Sequence, residues 1–317
     1  MQITQPTARL SIFDGFDAVT LTAGALEAIF VPDAGMAGVS LRHEGEELLD
    51  RRGGLREYRR SGAVMGIPLL HPWANRLSGD DYELHGRQVH LNGTTPRDEN
   101  GLPIHGLVGG RPGWVVDSAD AVAGGAHLQA SLDFAADPHL HTAFPFSHSV
   151  TMAVLLTAQG LTISTTVTPT GGAPVPISFG FHPYLRLPGV DRARWEVRLP
   201  PRRHLELDAR GIPTGRGRYR PAARLLLGDR AFDDAFDEIR SGSAFSVAGG
   251  GRRLTVAHDH GFPVAQVYSP AGAQFICFEP MTAPVDALRT GLGLVRAVPG
   301  RPHTATFSVM VTRGPTP

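Results

Sequence analysis

Residues 149–169 read SVTMAVLLTAQGLTISTTVTP. Val150, Met152, Val154 and Leu156 alternate with Thr151, Ala153 and Leu155; Gln159-Gly160 then turns the chain, and Leu161, Ile163, Thr165 and Val167 resume a period of two. Successive strand side chains point to opposite faces, so this spacing predicts a β-hairpin with one buried side. The segment TATFSVMVT at 304–312 repeats the pattern with Phe307, Val309 and Val311 on one side. The 38 glycines and 26 prolines, spread through the whole length, suit many short strands joined by turns. No apolar stripe at helical spacing has useful length. The best helix candidate, GDRAFDDAFDEIR at 228–240, is short and too acidic for a core helix. No low-complexity linker or repeat divides the chain. The expectation is all-β, a large antiparallel β-sandwich forming one domain over residues 1–317.

The bulk numbers narrow the function classes. Thirty basic residues balance thirty acidic ones, so no global field draws the protein to nucleic acid or to an anionic membrane. A small molecule is the expected partner. Cys277, the sole cysteine, excludes an internal disulfide framework and a cysteine-based zinc site, and fits a reducing compartment. The start carries no signal-peptide pattern, and no apolar run approaches the ~18 residues of a spanning helix. A soluble, cytoplasmic protein is expected. The basic stretch RRGGLREYRRSG at 51–62 is read as a solvated loop, with an anion site as the alternative.

Two strands carry isolated polar groups. In QFICFEP (274–280), alternation puts Phe275, Cys277 and Glu279 on one face and Ile276 and Phe278 on the other. A carboxylate ending so apolar a strand is paired, hydrogen-bonded or functional, because burying it alone costs several kcal/mol or raises its pKa. In PISFGFHPY (176–184), Ile177, Phe179 and Phe181 share one face while His182 shares the other with Ser178 and Gly180. Small neighbours leave room for a ligand; a structural histidine with one good hydrogen bond is the alternative. HDH at 258–260 and HLH at 139–141 keep open a metal site in which i and i+2 histidines share a strand face. HExxH, nucleophile-elbow, P-loop and dinucleotide patterns are absent. Asn92-Gly93-Thr94 matches a glycosylation sequon.

Taken in order, PLLHPWANRLSGDDYELHG (68–86), IHGL (104–107) with the following Trp114, residues 144–189 around SFGFHPYLRLPG, FDDAF (232–236), VYSPAGAQFICFEPMTAPVDAL (267–288) and VPG (298–300) resemble the aldose 1-epimerase (mutarotase) family. The resemblance spans roughly residues 60–300. It implies a sandwich of the galactose-mutarotase type, no metal or other cofactor, and a monosaccharide cleft across one sheet. It also implies that Glu279 is the general base and His182 the general acid. Arg76, its neighbour Asn75 and His105 would position the substrate, and Asp233 would bind sugar hydroxyls, with Asp234 as the alternative alignment. HPWANRL resembles bacterial mutarotase-like proteins more than it resembles the best-studied galactose mutarotases, which leaves the sugar open.

The implied chemistry suits these residue types. Converting one anomer to the other removes the C1 hydroxyl proton and protonates the ring oxygen, opening the ring to the aldehyde; rotation and reclosure finish the turnover. One base and one acid on opposite sides of the hemiacetal suffice. A carboxylate with pKa below 7 and an imidazolium near 7 are expected. Trp73 or Trp114 stacks on the sugar or packs in the core. The alternatives are a hexose-6-phosphate 1-epimerase of the same fold, with RRGGLREYRR holding the phosphate, and a non-catalytic carbohydrate-binding protein.

Overall fold

The computed structural model describes residues 5–84, 86–91, 93 and 95–313. Asn92 and Thr94 of the sequon lie outside the described residues, as does His85. The 149–169 hairpin forms as its alternation requires: His148–Thr157 pairs with Gly160–Pro169, with Thr157 opposite Gly160. Val150, Met152, Val154 and Leu156 are buried, while the side chains between them are half-buried. This hairpin lies within a nine-stranded antiparallel sheet that also contains Val115–Val122, Gly125–Asp133, Ser243–Gly249, Arg252–His260 and His303–Arg313.

Against it lies an eight-stranded sheet. Its path runs Pro213–Arg220, Arg202–Leu207, Phe232–Asp237, Val264–Ser269, Ile276–Met281, Gly180–Phe181 and Leu69–Leu70, and Tyr184–Leu185 also pairs with Ile276–Met281. Phe181, Phe236, Val267 and Phe278 leave one face of this sheet; Phe245, Val256, Phe307 and Val309 leave the nine-stranded sheet to meet them in one apolar cluster. The rings of Phe181 and Phe307 lie 4.8 Å apart, and those of Phe245 and Phe278 5.7 Å. Each such side chain, fully withdrawn from water, stabilises by about 1.5–3 kcal/mol. The two-sheet core therefore fixes which face of the eight-stranded sheet is left for polar residues. The all-β sandwich expected from the sequence is the fold observed. A five-stranded N-terminal sheet, Thr7 to Glu47, packs its strand Phe16–Ala23 on Gly125–Asp133 and His148–Thr157. No described helix is long and apolar enough to cross a membrane.

Three local expectations are corrected. Residues 232–237 of the acidic helix candidate form a strand. Ala235 and Phe236 are buried on its two faces, a demand that period two meets and a one-sided helix does not. The stretch 51–62 is not all loop: Leu55–Ser61 is a short helix. Leu55 and Tyr58, one helical turn apart, are buried against Val39 and Met65, and Gly62 ends the helix in the left-handed conformation at φ 75°. Finally, HLH lies in the helix Pro138–Ala143, where residues two apart do not share a face.

Candidate functional site

Strand register builds the centre of the site. Gly180 stands opposite Met281 and Tyr184 opposite Cys277, which sets His182 across from Glu279; on the other flank Glu279 stands opposite Gln266. Directly opposed residues of antiparallel strands share a face. Gln266, Glu279 and His182 thus form one row across three chain segments. The adjacent row holds Asp233, Tyr268, Cys277 and Tyr184. Phe181, Val267 and Phe278, one position away in each strand, point into the core.

Within the row, His182 Nε2 lies 3.2 Å from Glu279 Oε1. The contact is not aligned as a hydrogen bond. Both carboxylate oxygens of Glu279, His182 Nδ1 and Gln266 Oε1 are buried with no hydrogen-bond partner among the described residues. Gln266 Nε2 donates to Asp233 Oδ1 at 2.6 Å. Asp234 turns to the opposite face and meets His204 Nε2 at 3.0 Å. Register therefore separates two acids that the sequence leaves interchangeable.

The wall above the row comes from HPWANRL and IHGL. His71 bridges to Gly106 and Arg76 to Ile104; the His105 N–H donates to the Asn75 carbonyl at 3.0 Å and the Leu107 N–H to that of His71 at 2.7 Å. Gly106 has φ 73°, and a Cβ there would stand 2.3 Å from the His71 carbonyl oxygen, so glycine is what lets the segments touch. Asn75 and His105 both hold positive φ, 58° and 62°. Such conformations are unfavourable for side-chain-bearing residues and concentrate at ligand sites. Arg76 Nε donates to Asp98 Oδ2 at 2.6 Å, and its Nη1 to Asn75 Oδ1 at 3.3 Å. Asp98 is fixed in turn by the N–H groups of Asn100 and Leu102.

All six residues singled out in the sequence, Asn75, Arg76, His105, His182, Asp233 and Glu279, line one cleft of about 660 Å³. That is ample for a monosaccharide. Gln266, Tyr184, Tyr268 and Arg52 join them, and Asp98 lines the cleft behind Arg76. Sequence reasoning missed these; only Arg52 carried a signal, as part of the basic stretch. A more open hollow of about 820 Å³ lies over the hairpin 202–220 and also touches Asp233. Its charges largely satisfy each other, as Arg203 with Asp237, His204 with Asp234 and Arg216 with Glu206. Of the two hollows, the smaller is the one lined by buried polar atoms without partners among the described residues, on Glu279, His182, Gln266 and His105, and we take it as the site. Trp73 and Trp114 are both buried in the core cluster and line neither hollow, so tyrosines supply the aromatic surface.

Electrostatics depart from expectation. Burial, followed by the charge of Asp233, pushes the Glu279 carboxyl well above its ordinary value, against the pull of Arg76. Burial, then His105, pushes His182 well below its ordinary value. These directions favour the protonated carboxyl and the neutral imidazole, against the expected carboxylate facing an imidazolium. Burial and Arg76 lower His105 to about 3, so it is a neutral imidazole. For Arg76, burial opposes the charge, but the Asp98 hydrogen bond and the acids Asp233, Asp98 and Glu99 hold its pKa above the ordinary value. Glu279 and His182 stand side by side on one sheet face, and the cross-strand pairing that places them there also desolvates them. No cluster of three His, Cys, Asp or Glu suited to a metal occurs among the described residues. His258 of HDH is buried and bonded at Nδ1 to the Phe262 carbonyl, while His260 is exposed.

The solved structures similar to this chain include a galactose mutarotase-like protein from Clostridium acetobutylicum, with TM-score 0.86 and 17% identity over 98% of this chain and 99% of that one. Galactose 1-epimerase from Lactobacillus acidophilus NCFM superposes with TM-score 0.74 at 14% identity, covering 98% and 100%. An aldose epimerase homologue from C. elegans gives TM-score 0.72 at 16% identity, covering 92% and 97%. At these identities the likeness carries the fold alone. No curated protein is matched by sequence. Residues 17–309, nearly the whole chain, match the family model described as aldose 1-epimerase, and the chain therefore belongs to that family.

Proposed function

We propose that this protein interconverts the α and β anomers of a free aldose. The observation that carries this reading is the buried Glu279–His182 pair, 3.2 Å apart with unfilled polar atoms, at the floor of a monosaccharide-sized cleft. Both groups face the same way, so the substrate presents its C1 hydroxyl and ring oxygen together, edge-on to the pair. Glu279 takes the hydroxyl proton as His182 gives one to the ring oxygen; the ring opens, C1 rotates, and reclosure returns both protons. The pair carries a single mobile proton, and the arrangement that burial favours, a protonated Glu279 beside a neutral His182, differs from the working one only in where that proton sits. Hydrogen bonds from the sugar to the unfilled oxygens, with the nearby Arg76 charge, favour the ionised carboxylate once substrate is bound. Acid–base assistance of this kind contributes about 10²- to 10⁴-fold. Arg76, Asn75, neutral His105, Gln266 and Asp233 supply donors and acceptors for the remaining hydroxyls, held in place beforehand by Asp98 and by the stitched loops. All thirty basic residues are arginine, so no lysine stands ready to trap the open-chain aldehyde as an imine.

The basic stretch does not favour a phosphorylated substrate. Arg60 pairs with Glu57 at 2.7 Å, Arg59 donates to the Asp33 carbonyl, and Arg51 lies over the Phe13 ring. A merely sugar-binding protein would gain nothing from burying an acid and a base without partners. The test is polarimetric mutarotation of freshly dissolved α-glucose and α-galactose with the native protein and with Glu279→Gln. Acceleration by the native protein, lost at least 100-fold in the variant, is expected; full activity in the variant would remove the base from the account.

A further inference from the structure

Of the arginines in the basic stretch, Arg52 lines the cleft. Arg52 sits at φ 48°, its N–H donating to Asp50 Oδ1 at 2.9 Å. The Asp50 N–H donates to the Tyr184 carbonyl, and the Asp50 carbonyl accepts from Gly66. The turn is therefore tied to the chain segment that carries His182 and Tyr184. The Arg52 guanidinium lies over Phe275, 4.7 Å from the ring centre, and over Tyr184 at 5.7 Å. The Tyr184 ring in turn stacks on His182 at 4.5 Å and 13°. Arg52, Tyr184 and His182 form three layers, and the charge of Arg52 is felt at His182, Tyr184 and Tyr268.

Among the described residues no carboxylate forms an ion pair with the Arg52 side chain, whereas Arg76 and Arg97 on the other wall are committed to Asp98 and Asp80. An aromatic platform holds the guanidinium plane while leaving its N–H groups free. One free guanidinium matches one carboxylate through two parallel hydrogen bonds. A phosphate dianion would leave a second charge uncompensated in a cleft that also holds Asp98, Glu99 and Asp233. A single aromatic ring separates Arg52 from His182, a span that a pyranose hydrogen-bonded at both ends can bridge.

We propose that the substrates include aldoses bearing a carboxylate, the hexuronates, with the carboxylate on Arg52 while Glu279 and His182 act at C1. This rests on the acid–base reading above and names the substrate class of the same site. Mutarotation of glucuronate and galacturonate is compared with that of glucose, galactose and glucose 6-phosphate, for the native protein, Arg52→Leu and Arg52→Lys. The hexuronates are expected to exceed their neutral parents about tenfold in kcat/KM, mainly through KM. That ratio should fall to about one in Arg52→Leu and recover in part in Arg52→Lys. In the native protein it should also shrink between low salt and 0.5 M sodium chloride, because the contact is exposed. A ratio of one or less in the native protein, or one unchanged by Arg52→Leu, overturns the proposal. So does an Arg52-dependent preference for glucose 6-phosphate over the hexuronates. Turnover of neutral aldoses without the carboxylate preference refutes this proposal alone; turnover of none of the sugars refutes the acid–base reading as well.

Discussion

Acidification from pH 7.5 to 5.5 is expected to remove about 4 kcal/mol of folding stability, and the loss can be worked from three buried histidines. Burial lowers His148 and His258 to about 4 and His105 to about 3. An unfolded histidine titrates near 6.5, so below that pH the unfolded chain binds protons that the folded one refuses. The stability these neutral rings contribute is fully present above pH 6.5 and is lost as pH falls from 6.5 towards the folded values. One unit below 6.5, each has lost about 1.4 kcal/mol, and three together about 4 kcal/mol. His71 and His182 shift in the same direction and add to the loss. Glu279 shifts upwards, so its folded form keeps a proton and offsets part of it. Against a typical total of about 5–15 kcal/mol the change is large. Urea unfolding followed by the fluorescence of the buried Trp73, Trp114 and Trp195 measures it. His258→Phe, at a site already lined by Phe245 and Phe262, should remove about a third of the pH dependence. A free energy flat within about 1 kcal/mol over this range would refute the reasoning.

Further outcomes concern the site itself. Asp98→Asn removes the charge that anchors Arg76 Nε at 2.6 Å, and is expected to raise KM for the aldose about tenfold with a smaller change in kcat, read from initial polarimetric rates. Asp233→Ala should lower kcat/KM by more than tenfold, whereas Asp234→Ala, on the opposite sheet face, should leave it within about threefold. Equal effects of the two would contradict the register described here.

Much of this was legible in the sequence because a strand side chain's face follows from its parity. Phe179 and Phe181 went to the core and His182 to the cleft, Phe278 to the core and Glu279 to the cleft, as alternation required. What stayed hidden depends on register between strands far apart in the chain. Gln266 is an unremarkable polar residue in VAQVYS until it stands opposite Glu279. Asp98 looks like an ordinary turn acid until Arg76 arrives across the wall. The protonation of the pair is hidden for the same reason: the desolvation that favours the neutral forms of Glu279 and His182 is a property of the assembled row and not of either strand. The strand at 232–237 was obscured by its acids, which suggest the first turn of a helix although Phe232, Asp234 and Phe236 keep period two.

The central claim is that Glu279 and His182 work as one couple on a single hemiacetal. Its most direct test is the double-mutant cycle of Glu279→Gln and His182→Asn, measured as kcat/KM for aldose mutarotation. If the two share one proton transfer, each single change lowers the rate by about 10²- to 10⁴-fold and the double variant falls less than about tenfold below the slower single one. Losses that multiply, or a single variant that keeps native activity, would contradict it.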